Sequence, residues 1–127
     1  MKLVLIRHAE AEPGKPDELR ALTPAGEEQA RLLGERLRAD GVAPDAVLSS
    51  PLLRARQTAA HLGFGEPEAL DGLAPGATAD DVRTVIAGRG DTVVVVGHQP
   101  DCSRVAAELG GGAEPAFPPA GVQVIEL

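Results

Sequence analysis

Two uninterrupted apolar runs dominate the hydropathy pattern. Leu3–Ile6 is apolar throughout and ends at Arg7, and Thr92–Val96 carries four consecutive valines. Runs without alternation predict parallel strands buried on both faces. Ala46–Leu48 predicts another short strand, Glu68–Leu70 a third, and Val122–Leu127 an edge strand at the end of the chain. Between the strands the period changes. Ala30, Leu33 and Leu37 recur at helical spacing, so an amphipathic helix is expected from Pro24 to about Arg38. Thr23 is its N-cap, Pro24 its first residue, and Glu27 and Glu28 lie where the helix dipole favours acids. Ser49-Ser50-Pro51 predicts a second helix with a serine cap and proline at its first position, running to about Leu62 and stopped by Gly63. Thr78-Ala79-Asp80-Asp81 opens a third, to about Ala87, and Gly97–Asp101 leads into a fourth that ends at Gly110-Gly111-Gly112. Ala9–Ala21, with Pro13, Gly14 and Pro16, reads as a loop. Strand and helix alternate throughout. The expected fold is a single α/β domain over residues 1–127, with three α/β/α layers, a mostly parallel sheet and an antiparallel edge strand.

Composition limits what this domain can do. The 127 residues are one domain's worth, enough to bury roughly two thirds of the surface of the unfolded chain. Twelve Lys+Arg against 19 Asp+Glu give a net charge of −7, which argues against nucleic-acid or membrane-surface binding. No apolar run approaches a membrane span, and the N-terminal run is too short for a signal peptide, so a cytoplasmic location is expected. The single Cys102 excludes an internal disulfide and a multi-cysteine zinc site. The chain has no Trp, Tyr or Asn and uses ten Arg to two Lys, which fits a thermophile or a codon bias.

Candidate chemistry lies at the carboxyl ends of the predicted strands, where open α/β sheets bind ligands. Arg7-His8 follows the first strand. Ser49-Ser50-Pro51 follows the second, with Arg54 one turn into its helix, and Gly97-His98 follows the valine strand. Two arginines and two histidines thus converge on one rim. Guanidinium forks match phosphate oxygens, so the rim predicts a phosphate site inside an otherwise acidic molecule. A neutral imidazole there is nucleophilic enough to accept a phosphoryl group, and arginine with a second histidine can spread the transferring charge without a metal or other cofactor. Arg56 sits ~200° around the helix from Arg54, so it is expected at the surface. A cysteine phosphatase needs Arg six positions after its cysteine, and Glu108 stands there. The glycine run at 110–112 has no following Gly-Lys-Ser/Thr, which excludes a P-loop.

At these positions the chain resembles the histidine phosphatase (phosphoglycerate-mutase-like) superfamily. Leu5-Ile6-Arg7-His8-Ala9-Glu10 is similar to its Arg-His-Gly/Ala signature. Leu22-Thr23-Pro24-Ala25-Gly26 with Gln29-Ala30 is similar to its Leu-Thr-x-x-Gly…Gln-Ala helix start. Ser50-Pro51-Leu52-Leu53-Arg54-Ala55-Arg56-Gln57-Thr58-Ala59 and Val95-Val96-Gly97-His98 follow in family order. The short length most resembles phosphohistidine phosphatases of the SixA type. The resemblance implies His8 as nucleophile, Arg7, Arg54 and His98 as catalytic residues that hold the phosphoryl oxygens, and Arg20 as a further substrate contact. It also implies a phosphohistidine-bearing partner such as a phosphorelay domain, or a small phosphorylated substrate. The alternative from another class is a non-catalytic module that only binds phosphate. One departure bears on substrate: larger members carry a Leu-x-Glu general acid where this chain reads Leu70-Asp71-Gly72. An alkoxide needs a proton on leaving, help worth ~10²–10⁴-fold in rate, whereas imidazole leaves readily. That favours a phosphohistidine or an activated phosphate ester as substrate, unless Asp71 or Glu10 serves as the acid.

Overall fold

The computed structural model describes residues 1–127. Five strands, β1 (Lys2–Arg7), β2 (Ala46–Ser49), β3 (Glu68–Ala69), β4 (Thr92–Gly97) and β5 (Val122–Glu126), form one sheet in the order β3-β2-β4-β1-β5. All neighbours are parallel except β5, which runs antiparallel to β1 and closes that edge. Four helices, α1 (Pro24–Ala39), α2 (Leu53–His61), α3 (Ala79–Ile86) and α4 (Asp101–Gly110), cover both faces. The expected α/β/α architecture with an antiparallel edge strand is therefore the one observed. No helix is long and apolar enough to cross a membrane.

The twofold period of a strand explains the two layers of core. Leu3, Leu5, Val93 and Val95 face Val82, Ile86 and Val105 on α3 and α4. Val4, Ile6, Val94 and Val96 face Leu33, Leu37, Ala55 and Ala59 on α1 and α2. β1 and β4 lie side by side in the middle of the sheet, which is why their sequences are apolar at every position. α1 approaches α2 closely because Gly34 presents no side chain; a Cβ there would run into the Leu62 carbonyl.

Three local expectations change. β3 is only two residues long, although the Leu70 amide still donates to the Ser49 carbonyl at 2.9 Å. The loop before α1 contains a short 3₁₀ turn, Asp17–Leu19, and an isolated bridge between Ala11 and Leu22. The third change concerns α2, which begins at Leu53 rather than beside Ser50-Pro51, with Leu52 at the cap position and no side chain capping it. The physical reason is that Ser50 is already engaged. Its Oγ accepts the Leu52 amide at 3.2 Å and meets His98 Nε2 at 2.7 Å. Ser50 thus keeps a local turn bond of the capping kind and also meets His98, while the regular helix starts three residues later.

Candidate active site

The three central strands deliver their ends to one place by register. Arg7 lies opposite Gly97, and Ser49 lies opposite Val96, so the residues that follow leave the sheet side by side. Backbone hydrogen bonds extend the ladder one step further, from the His8 amide to the Gly97 carbonyl at 2.9 Å and from the Ser50 amide to the Val96 carbonyl at 3.0 Å. Side chains then hold the chain beyond β1. The Thr58 hydroxyl accepts the Ala9 amide at 3.0 Å and donates to the Arg54 carbonyl at 2.8 Å. Gln29 Oε1 accepts the Glu10 amide, and Gln57 Oε1 accepts the Leu22 amide. Gly26 lets α1 lie directly against the Glu10 carbonyl, where a Cβ would collide.

The two imidazoles face each other with ring centroids 5.2 Å apart and planes tilted by 59°. His8 Nδ1 lies 2.7 Å from the Ala9 carbonyl oxygen. A carbonyl only accepts, so Nδ1 carries the hydrogen and the Nε2 lone pair is the free one in the neutral ring. Burial, opposed by the Ala9 hydrogen bond and reinforced by the positive charges of Arg54, Arg7 and Arg20, lowers the pKa of His8. His98 is buried, and burial, with His8 and Arg54 adding to it, pushes its pKa down to about 4. Both rings are thus neutral at physiological pH. Ser50 Oγ can donate to Nε2 of the neutral His98 ring and still accept from it once protonated.

The arginines are held at one end and free at the other. Arg7 donates through Nη1 to the Phe117 carbonyl at 2.9 Å. Arg54, 7% exposed, donates through Nη1 to the Asp17 carbonyl at 2.9 Å and through Nη2 to Asp17 Oδ2 at 3.1 Å. The Nε–H groups of both Arg7 and Arg54 are buried without any partner. A buried unpaired donor costs about 1–3 kcal/mol, and two of them beside two neutral imidazoles form a cradle for an oxyanion. Arg20 joins the cluster at its rim, bonding Asp17 Oδ1 at 3.1 Å and the Glu12 carbonyl at 2.7 Å. Arg56 points away, exposed, as its position around the helix requires.

All five residues marked in the sequence therefore come together. Several partners were not marked. Gln57 and Thr58 had a legible signal, because they follow Arg54 at helical i+3 and i+4 and share its face. Asp17, Ser50 as a histidine partner, and the Phe117 carbonyl had none, since each acts across a long stretch of chain. Of the two possible acids, Glu10 is tied through Oε2 to the Thr23 hydroxyl at 3.1 Å, and Asp71 is exposed at the start of the 3₁₀ turn Asp71–Leu73. Cys102 is buried with its thiol pushed up to about 12 by burial, so it offers no thiolate at neutral pH.

Known proteins share this fold. The profile of the histidine phosphatase superfamily (branch 1) matches residues 3–74, more than half of the chain. The structure of the protein histidine phosphatase SixA complexed with tungstate matches with a TM-score of 0.90 and 28% identity, covering 100% of this chain and 88% of that one. The uncharacterized protein Rv1276c of Mycobacterium tuberculosis is 38% identical over 141 aligned positions, which cover 96% of this chain and 87% of the relative. A phosphoserine phosphatase of Entamoeba histolytica, in complex with phosphoserine, shares the fold with a TM-score of 0.75 over 97% of this chain and 89% of that one, at 20% identity. The matched profile runs from β1 past the Arg54 helix, and the SixA architecture agrees over the entire chain, so this protein belongs to branch 1 of the histidine phosphatase superfamily and is of the SixA type.

Proposed function

We propose that the protein is a metal-independent phosphatase that works through a phosphohistidine intermediate, with phosphohistidine on a partner protein as its substrate. The observation that carries this reading is the pair of buried, unpartnered Nε–H donors of Arg7 and Arg54 beside the free Nε2 of His8. In the first step the Nε2 lone pair of His8 forms a bond to phosphorus while the bond to the leaving group breaks and its electron pair departs with that group. Arg7, Arg54 and His98 hold the three peripheral oxygens as their charge redistributes. In the second step water attacks phospho-His8, the P–N pair returns to Nε2, and inorganic phosphate leaves. Arg20, bonded to Asp17 at the rim, contacts the substrate at its outer side.

The substrate follows from the leaving group. Gly72 stands where larger relatives have a carboxylic acid, Asp71 beside it is exposed on its 3₁₀ turn, Glu10 is engaged by Thr23, and the low pKa values of His8 and His98 leave both as neutral rings rather than imidazolium acids at neutral pH. A site without a ready acid suits a leaving group that needs none. A protonated phosphoimidazole breaks its P–N bond by returning the electron pair to its own ring. The SixA structure is complexed with tungstate, a tetrahedral oxyanion like phosphate, which supports an oxyanion ligand for this chain.

Steady-state turnover of a phosphohistidine-bearing protein should exceed that of alkyl phosphates and should survive EDTA. Alkaline quench and ³¹P NMR should show a transient P–N species on the enzyme that H8A abolishes. A preference for alkyl phosphates would overturn the substrate, loss with EDTA would overturn the metal-free mechanism, and binding without turnover would make the protein a phosphate-recognition module.

A further inference from the structure

Asp17 is the one acid built into the arginine cluster, and nothing in the mechanism above uses it. It lies on the 3₁₀ turn Asp17–Leu19, its side chain 61% exposed, yet both carboxylate oxygens are fixed: Oδ1 accepts from Arg20 at 3.1 Å and Oδ2 from Arg54 at 3.1 Å. Its own carbonyl accepts the remaining end of Arg54 at 2.9 Å. Three features follow. The carboxylate takes the end of the Arg54 guanidinium and leaves the buried Nε–H free, so it does not fill the phosphoryl cradle. A carboxylate has about four acceptor positions, and two arginine bonds leave the others open to solvent. Hydrogen bonds from Arg20 and then Arg54 hold the Asp17 pKa below the ordinary carboxylate range, so it is an acceptor and cannot supply a proton at neutral pH.

The geometry points to Asp17 as a specificity-determining residue whose clamped carboxylate accepts an N–H from a cationic nitrogenous leaving group and disfavours leaving groups that bear a carboxylate. This rests on the proposed phosphatase reading. A leaving group in line with His8 Nε2 departs on the side away from that ring, and the proposal puts Asp17 on that side: its carboxylate is bonded to Arg54, and its charge reaches His98. A protonated phosphoimidazole has one ring nitrogen bonded to phosphorus and an N–H on the other. When the P–N bond breaks, its electron pair neutralises the ring and the N–H stays where it is. Asp17 receives that N–H without any proton being transferred. Its charge favours the protonated form of the bound substrate, which is the form that leaves without an acid. Against a carboxylate-bearing leaving group the same charge is repulsive.

The test compares substrates that share one phosphoryl group. Phosphoimidazole, p-nitrophenyl phosphate and 3-phosphoglycerate present in turn a protonatable ring, a neutral nitroaryl group that departs as the weakly basic p-nitrophenolate, and a carboxylate-bearing leaving group. D17N keeps an oxygen for Arg54 and removes the charge. Because any loosening of Arg54 affects all three substrates alike, the readout is the ratio of kcat/KM values rather than their level. D17N is expected to lower the phosphoimidazole to p-nitrophenyl phosphate ratio about tenfold, the scale of a charged hydrogen bond, mainly through KM, and to raise the 3-phosphoglycerate to p-nitrophenyl phosphate ratio. D17E, which restores the charge, should recover part of both. Unchanged ratios would overturn the proposal, whether the three rates fall together, which makes Asp17 only a positioning residue for Arg54, or do not move. Wild-type enzyme inert to phosphoimidazole would instead refute the phosphohistidine reading, and the remaining pair of substrates would still decide the role of Asp17.

Discussion

The two ends of the same sheet are finished in opposite ways. At the amino end the starts of β1, β2 and β4 are closed by the backbone and one acid. The Asp45 carboxylate accepts the amides of Asp91 and Thr92 at 2.8 and 3.0 Å, the Asp45 amide donates to Thr92, and the Lys2 amide donates to Asp91. At the carboxyl end two guanidinium donors are buried unpaired and two histidines are held neutral by burial and by neighbouring charge. The amino end contributes to folding, and the carboxyl end gives part of that up so that donors stand ready for a ligand.

That contrast can be broken at either end. The largest effect is expected at Arg54. R54A should lower kcat/KM about 10²–10³-fold on phosphoryl substrates, the scale for losing a donor to the transferring charge, whereas R56A, two residues along the same helix, should stay within about twofold. Equal losses in steady-state assays would erase the distinction between inward and outward arginines.

A pH effect should follow in size. His98 has an ordinary pKa of 6.5 and about 4 when folded. Below 6.5 the unfolded chain takes up a proton that the folded ring refuses, so stability falls as pH drops, down to about pH 4. The loss is on the order of 3 kcal/mol, and His8 contributes in the same direction. Urea unfolding of H98Q between pH 7 and 4 should show a flatter dependence than the wild type. An identical slope would mean that His98 is not held neutral.

The smallest effect belongs to the amino end. D45A should lower stability by about 1 kcal/mol, as loss of a capping carboxylate does, seen as a lower Tm. Its kcat/KM, normalised to folded protein, should be unchanged. A loss of activity would show that the two ends are coupled through β4.

Much of this was legible in the residues, for identifiable reasons. β1 and β4 are central strands, and central parallel strands are apolar at every position, so Leu3–Ile6 and Val93–Val96 declared themselves. α1 and α3 were marked by threonine caps; Thr23 accepts the Gly26 amide, and Thr78 forms a reciprocal box with Asp81. The same local logic failed at α2. Ser50-Pro51 carries a helix-start signal, yet the helix starts at Leu53, and Ser50 Oγ holds the Leu52 amide and meets His98, 48 residues away. β3 was overextended because two paired residues at a sheet edge leave almost no pattern.

The sequence by itself determined which side chains stand after which strand, because alternating strands and helices bring carboxyl ends to one rim and place Arg7, His8, Arg54 and His98 there. Only the tertiary structure decided how those groups are wired. The Ala9 carbonyl fixes Nε2 as the free nitrogen of His8, Ser50 holds His98, the Phe117 carbonyl anchors Arg7 across 110 residues, and Asp17 clamps Arg54 across 37. The reason is physical. Burial pattern and caps are written locally, while a hydrogen bond between a side chain and a distant carbonyl exists only once the chain has folded and brought both out of water.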